Sequence, residues 1–308
     1  MASLRSKIIR AISSQYMRRN RKHFTSSIEQ KSIDHIKARQ DFEQRTTILG
    51  KAKDVDIREE IIDGIECEWH IPKESDRSSV IYYLHGGGFI VGSPKTHRRL
   101  VSFIAHEAGM PALVPNYRLA PENKYPAAQE DIIKVWTAII RNGQDPNKAF
   151  IGGDSAGGNL SVSVILSLIE SKQSLPVACF LMSPWVDLTG SGESYNNRSG
   201  IDPWFMPDQI RNVASKYCDP KQYKDALISP IYANLEGFPR TYIQVGDHEI
   251  MLSDSLLLSE KLRSYGCSVE LNIYPEMWHV FQYFVGLMPE SLEAIKSLAN
   301  FLRSELYR

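Results

Sequence analysis

From residue 80 onward the chain alternates short apolar runs, rich in β-branched residues, with longer segments of helical period. No other feature restricts the fold as much. Ile81-Tyr82-Tyr83-Leu84, Ala112-Leu113-Val114, Ala149-Phe150-Ile151, Val177 to Met182, Tyr242-Ile243-Gln244-Val245 and Val269 to Tyr274 predict strands. Between them Leu160, Val164 and Leu168, then Leu258, Leu262 and Tyr265, then Leu292, Ile295, Leu298 and Leu302 recur at helical spacing. Strand and helix in turn imply an α/β domain with a mostly parallel central sheet and helices on both faces. Segments 55–62 and 65–71 precede the series and suit an antiparallel edge.

Two segments stand outside the alternation. Residues 1–45 are polar and of helical character, with Ile8, Ile9 and Ile12 as one short apolar face. Residues 187–225 run through a Ser-, Gly-, Asn- and Asp-rich stretch to the aromatic pair Trp204-Phe205. A long irregular insertion in a regular domain usually carries function, and the two segments together suit a lid over the sheet's C-terminal edge.

The composition sets outer limits. A chain of 308 residues buries a sizeable core, and 36 Lys+Arg against 36 Asp+Glu leave no net charge. That balance argues against a nucleic-acid partner or a protein that coats anionic membrane. The charge is unevenly spread, however: residues 1–28 hold Arg5, Lys7, Arg10, Arg18, Arg19, Arg21 and Lys22 and no carboxylate. No apolar run approaches a bilayer span, so stable membrane insertion is not expected, and Lys7 and Arg10 interrupt any signal-peptide core. Cys67, Cys179, Cys218 and Cys267 lie far apart without zinc spacing. They read as free thiols in a reducing, cytoplasmic setting, with no metal site.

The chemistry-bearing motif is Gly153-Asp154-Ser155-Ala156-Gly157, a G-x-S-x-G directly after the strand at Ala149 and directly before a helix. Such a turn holds the serine in a strained conformation, and glycine on each side lets strand and helix close around it. A second glycine cluster, His85-Gly86-Gly87-Gly88-Phe89, follows the strand at Ile81. Three consecutive glycines cost backbone entropy. Their use is to bring N–H donors close to a tetrahedral oxyanion, and the expected donors are Gly87, Gly88 and Ala156.

With Asn116-Tyr117-Arg118-Leu119-Ala120-Pro121-Glu122 and His279-Val280-Phe281, these motifs occur in the order found in a known family. The chain resembles the hormone-sensitive-lipase-like α/β-hydrolases, the bacterial esterases with an H-G-G-G motif, from about Val80 to its end. The resemblance implies the order serine, acid, histidine, and a cap made from the N-terminal helices and an insertion after the sixth strand. It assigns residues 1–45 and 187–225 to that cap, and 46–186 and 226–308 to the two parts of the catalytic domain.

A serine hydroxyl needs a base within hydrogen-bond reach. Of eight histidines, His279 follows the last strand and matches the family's H-x-F; His85 reads as an anchor of the glycine loop. A carboxylate must hold the imidazole, and the loop after the strand at Tyr242 offers Asp247, Glu249 and Asp254. In the resembled family the acid is usually an aspartate about thirty positions before the histidine, which is where Glu249 stands. Asp154 reads as structural, and Arg118 with Glu122 as a buried ion pair or loop anchor.

The expected reaction is acyl transfer from a short- to medium-chain ester to water through an acyl-enzyme on Ser155, without a metal or organic cofactor. Phe89, Trp185, Trp204, Phe205, Trp278 and Phe281 are the candidate lining of an apolar acyl pocket. Lactones or acetyl esters of specific metabolism are alternative substrates. A non-catalytic small-molecule receptor on the same fold is the alternative of another class, and the presence of His279 weighs against it. The resemblance also allows two copies to pair through the edge of the sheet.

Overall fold

A computed structural model describes residues 2–25 and 35–307. Positions 26–28 of the basic arm lie outside the described residues, as do the side chains of 16–25, among them Arg18, Arg19, Arg21, Lys22 and His23.

In chain order the elements are α1 (Leu4–Thr25), α2 (His35–Thr47), β1 (Val55–Ile62), β2 (Ile65–Pro72), β3 (Val80–Leu84), α3 (Pro94–Ala108), β4 (Ala112–Pro115), α4 (Ala127–Arg141) and β5 (Ala149–Asp154). They continue with α5 (Ala156–Glu170), β6 (Ala178–Met182), α6 (Ser194–Asn197), α7 (Pro207–Tyr217), β7 (Arg240–Gly246), α8 (Leu252–Ser264), β8 (Val269–Tyr274) and α9 (Pro289–Leu306). The strands form one eight-stranded sheet in the order β1-β2-β4-β3-β5-β6-β7-β8. β1 and β2 make the antiparallel edge, and from β4 to β8 every pairing is parallel.

Strand periodicity divides the core in two. Tyr82, Leu84, Ile151, Cys179 and Leu181 pack on one face of the sheet with Trp136 of α4, Leu160 and Val164 of α5 and Leu258 and Leu262 of α8. Their neighbours Ile81, Tyr83, Phe150, Phe180 and Met182 pack on the other with Leu100 and Ile104 of α3 and Ile295, Leu298 and Leu302 of α9. Alternate residues of a strand face opposite ways, so central strands buried on both sides are apolar throughout. Tyr265 departs from the expected helix face: it caps α8 outside the last turn and is exposed.

Helix ends follow local chemistry. α3 opens with Pro94 after a reciprocal Ser93–Thr96 capping box and closes on Gly109 in the left-handed region. α5 has no side-chain cap, because the residue before it is Ser155 at φ 52°. That turn is tight enough to dictate sequence. A Cβ at Gly153 or at Gly157 would lie 2.0 Å from the Leu84 carbonyl oxygen of β3, so only glycine lets α5 and the strands approach as they do.

The N-terminal segment departs from expectation. Ile9, like Ala2 and Trp204, packs partly buried against the cluster of Met277, Trp278 and Phe281, but Leu4, Ile8 and Ile12 are exposed, so Ile8, Ile9 and Ile12 do not share one face. Glu290, in the first turn of α9, accepts hydrogen bonds from the Ser3 backbone and from the Ser3 and Ser6 hydroxyls, holding the start of α1. α2 packs against α3 instead, with Phe42 stacked on Tyr283 and Arg39 bonded to Glu122 and to the carbonyls of Ile90 and Ala120. Arg118 and Glu122 therefore do not pair with each other. Arg118 binds Asp131 and Glu130, both links partly exposed, because the intervening Leu119-Ala120-Pro121 turns Glu122 toward α2.

Gly157→Ala forces the Leu84 carbonyl to shift, and overpacking of this kind costs about 1–3 kcal/mol or more. A lowered midpoint in chemical denaturation checks this; a midpoint equal to that of the parent chain would refute the close-approach argument.

Candidate active site

The C-terminal ends of β3, β5, β6 and β7 lie side by side, and the chain leaving each contributes one part of the site. After β5, Ser155 sits at the tip of the tight turn with its Oγ 2.9 Å from His279 Nε2. His279, in the loop after β8, places Nδ1 2.7 Å from Glu249 Oε2, and Glu249 comes from the loop after β7. All three are buried, with Glu249 at 0% exposure. A buried carboxylate is tolerated only when its lone pairs are satisfied. Here Oε1 accepts from the Gly246 N–H and the Ser183 hydroxyl, each at 2.7 Å.

Of the three carboxylates open on sequence grounds, Glu249 alone meets the imidazole. Asp247 accepts from the Glu276 N–H at 2.6 Å. Asp254, fully buried, accepts from the Val186 and Asp187 N–H groups, and burial holds its carboxyl well above the usual range. Burial by itself lowers the His279 pKa, but the hydrogen bond and charge of Glu249 outweigh it, with help from Asp202 and Asp154, and the net shift is upward.

The glycine loop follows β3. Gly87 and Gly88 both have positive φ, at 119° and 61°, a region only glycine enters without strain. Among the described residues none accepts a hydrogen bond from the N–H of Gly87, Gly88 or Ala156. The loop is fixed from behind by Asp154, whose Oδ1 accepts from the Gly86 N–H at 2.9 Å and the Tyr83 hydroxyl at 2.6 Å, with His97 Nε2 3.4 Å away. Burial pushes Asp154 up, but the His97 charge and the Tyr83 and His97 hydrogen bonds bring it net below the usual carboxyl value. Burial takes His85, stacked on Tyr117 with Nδ1 on the Gly86 carbonyl, down to about 3, so this ring stays neutral.

The aromatic candidates separate into groups. Phe89 stacks on Tyr217 of α7 and lies against Trp185, whose N–H bonds the Ser155 carbonyl. Phe205 meets the His279 ring edge-on, with centroids 5.0 Å apart. Trp278 and Phe281 are instead packed with Met277, Met288 and Ala294 in a separate buried cluster, against which Trp204 also rests. A cavity of about 740 Å³ opens between α1 and the 200–206 loop, lined by Lys7, Arg10, Trp204, Phe205 and Met206 among others. Phe205 belongs both to this cavity and to the His279 contact, whereas Ser155, His279, Gly87 and Gly88 do not line the cavity.

Two participants have no sequence signature. Ser183, one residue past β6, links Glu249 to the Val280 backbone. Its only signal is its place at a strand's C-terminal end. Asp202 accepts from the N–H groups of Trp204 and Phe205 and, across the fold, of Ile250; burial pushes its pKa up to about 6 against these bonds. Arg198 adds a second tie, from its Nε to the Asp247 carbonyl at 2.8 Å. The 187–225 insertion is thus fastened to the loop after β7 that carries Glu249.

Among the described residues no helix is long and apolar enough to cross a membrane, and no cluster of His, Cys, Asp or Glu is placed to hold a metal.

A protein family described as alpha/beta hydrolase fold matches residues 81–283. An esterase of Acinetobacter venetianus is 34% identical over 251 residues, 81% of this chain and 82% of its own. An acetyl-hydrolase of Streptomyces hygroscopicus is 33% identical over 238 residues, 77% of this chain and 79% of its own. Among solved structures, an esterase from the bacterial hormone-sensitive lipase family superposes with a TM-score of 0.87 at 32% identity, covering 94% of this chain and 98% of its own. An esterase/lipase from an uncultured bacterium gives 0.91 at 30% identity, covering all of both chains.

The imidazole titration tests the electrostatics. By NMR, His279 in the substrate-free protein titrates above the ordinary histidine value, and Glu249→Gln lowers it because the compensating charge is gone while burial remains. An unmoved titration in Glu249→Gln would contradict the cause given.

Proposed function

The chain belongs to the hormone-sensitive-lipase-like esterases of the α/β-hydrolase family and is a carboxylic ester hydrolase, and from that premise we propose that Ser155, His279 and Glu249 are its catalytic triad and that short- to medium-chain acyl esters are its substrates. The observation that carries the assignment is the unbroken path Ser155 Oγ to His279 Nε2 at 2.9 Å and His279 Nδ1 to Glu249 at 2.7 Å.

In the proposed reaction Ser155 attacks the ester carbonyl while His279 takes its proton, and Glu249 stabilises the resulting imidazolium. The N–H groups of Gly87, Gly88 and Ala156 receive the oxyanion, the last at the positive end of α5. His279 then protonates the leaving alkoxide, the acyl group remains on Ser155, and water activated by the same imidazole releases the acid. Residues 1–45 and 187–225 form the cap of this reading. It is supported by Phe205 on His279, by α1 along the cavity wall, and by Val213 of α7, close enough to Gly88 that a Cβ there would lie 2.7 Å from it. A cavity of about 740 Å³ beside Phe205 suits a small ester better than a long-chain triglyceride.

A cytoplasmic setting belongs to the same reading, supported by four unpaired cysteines, as does pairing of two copies at the β8 edge, where Ile273 is exposed. The name of the Streptomyces hygroscopicus relative favours a second reading, with an acetyl ester as the natural substrate.

Crystals of one structural neighbour were soaked with p-nitrophenyl butyrate, which makes it a suitable probe. Wild-type protein should hydrolyse it, and Ser155→Ala should lose at least about 10⁴-fold in kcat with an unchanged melting temperature. Retained turnover in Ser155→Ala would overturn the assignment. Because His279 must be neutral to act as base and its pKa is raised, kcat/KM should fall as pH drops through a value above the ordinary imidazole one. Across p-nitrophenyl acetate, butyrate, octanoate and palmitate, palmitate should be poorest; preference for palmitate would refute the chain-length reading, and a maximum at acetate would select the second.

A further inference from the structure

The triad's acid and base are joined twice. Besides the direct bond between Glu249 Oε2 and His279 Nδ1, Glu249 Oε1 accepts from the Ser183 hydroxyl at 2.7 Å, and the Ser183 oxygen in turn accepts from the Val280 N–H at 3.1 Å. Val280 is bonded in sequence to His279. The contacts therefore close a ring: carboxylate, imidazole, the backbone from 279 to 280, hydroxyl, carboxylate. A single hydrogen bond leaves two side chains free to rock about it, whereas a closed ring removes that freedom.

The backbone at Ser183 supports a purpose for the hydroxyl. Ser183 has φ 47°, a left-handed conformation in which glycine would be unstrained. Strain of this kind persists where the surroundings over-determine it. Val280, at the ring's other backbone corner, is β-branched and also left-handed, at φ 47°. Ser183 is fully buried, and its N–H bonds the Gln244 carbonyl of β7 at 2.7 Å. The residue before it, Met182, accepts the Ser155 N–H at 2.9 Å. One short stretch thus touches the nucleophile's backbone, the acid's carboxylate and the base's neighbouring amide.

We infer that Ser183 is a positioning residue for ester hydrolysis, its hydroxyl locking the Glu249 carboxylate and the His279 loop into the one alignment in which the imidazole reaches Ser155. The inference rests on the triad reading above. It assigns Ser183 no contact with substrate: its effect belongs to the chemical step and runs through Glu249.

Ser183→Gly and Ser183→Ala both remove the hydroxyl and leave the buried Val280 N–H without its acceptor, and the glycine variant also relieves the backbone, so it should melt no lower than Ser183→Ala. With p-nitrophenyl butyrate, both should lose about 10- to 100-fold in kcat, the usual effect of removing an outer partner of a catalytic group, while KM stays within about threefold. Made in a Glu249→Gln background, Ser183→Gly should cost less than about threefold, because the carboxylate it holds is gone. Wild-type kcat in Ser183→Gly would overturn the inference. An equal loss with and without the Glu249 carboxylate would also overturn it, since the hydroxyl would then act elsewhere. Full turnover in Glu249→Gln alone would instead bring down the triad reading, independently of what Ser183 does.

Discussion

The parallel hydrogen bonding of β3, β5, β6 and β7 is the constraint on which the site depends. Parallel pairing in this register brings Leu84, Asp154, Met182 and Gly246 to one edge of the sheet, and the chain leaves each strand there. The glycine loop, Ser155, Ser183 and Glu249 follow in spatial order because the strands do. No contact among these groups is local in sequence: 124 positions separate Ser155 from His279 and 30 separate Glu249 from it. Sheet pairing makes them neighbours, and the close approach of α5 to β3, possible only with Gly153 and Gly157, sets the height at which the serine stands.

Burial then decides which groups hold charge. Glu249 is sealed from solvent, yet both its oxygens are occupied, and it holds the Nδ1 side of His279 while Nε2 faces the Ser155 hydroxyl. His85 is equally buried but has no carboxylate on its ring and remains neutral. Asp154, one residue before Ser155, uses Oδ1 to hold the Gly86 N–H behind the glycine loop and the Tyr83 hydroxyl. Two buried histidines and two buried carboxylates thus have different duties, set by what each carboxylate reaches.

The fold class and the motif residues were legible in the sequence because period and glycine placement are local signals. The runs at Ile81, Phe150 and Phe180 predict central strands since both faces of those strands are apolar. The choice among Asp247, Glu249 and Asp254 rests on family spacing until a loop conformation is given, because each residue type can serve. Ser183 and Asp202 were beyond reach for a different reason: a single serine or aspartate has no periodicity, and its role appears only when distant backbone amides arrive. Likewise Ile8, Ile9 and Ile12 read as one face, while in the structure Ile9 is partly buried and the other two lie outside.

The two parts of the proposed cap are attached differently. The insertion is bound to the acid loop by Asp202 on Ile250 and by Arg198 on Asp247, whereas α1 is held at its start by Glu290 and along its side by Ile9. Reshaping the insertion therefore moves the loop that carries Glu249 along with the cavity wall. Among the described residues α1 reaches the loop after β7 only indirectly, through Arg10 on the Ile201 carbonyl of the insertion, so a change in the cavity wall it supplies travels one contact further before it meets Glu249.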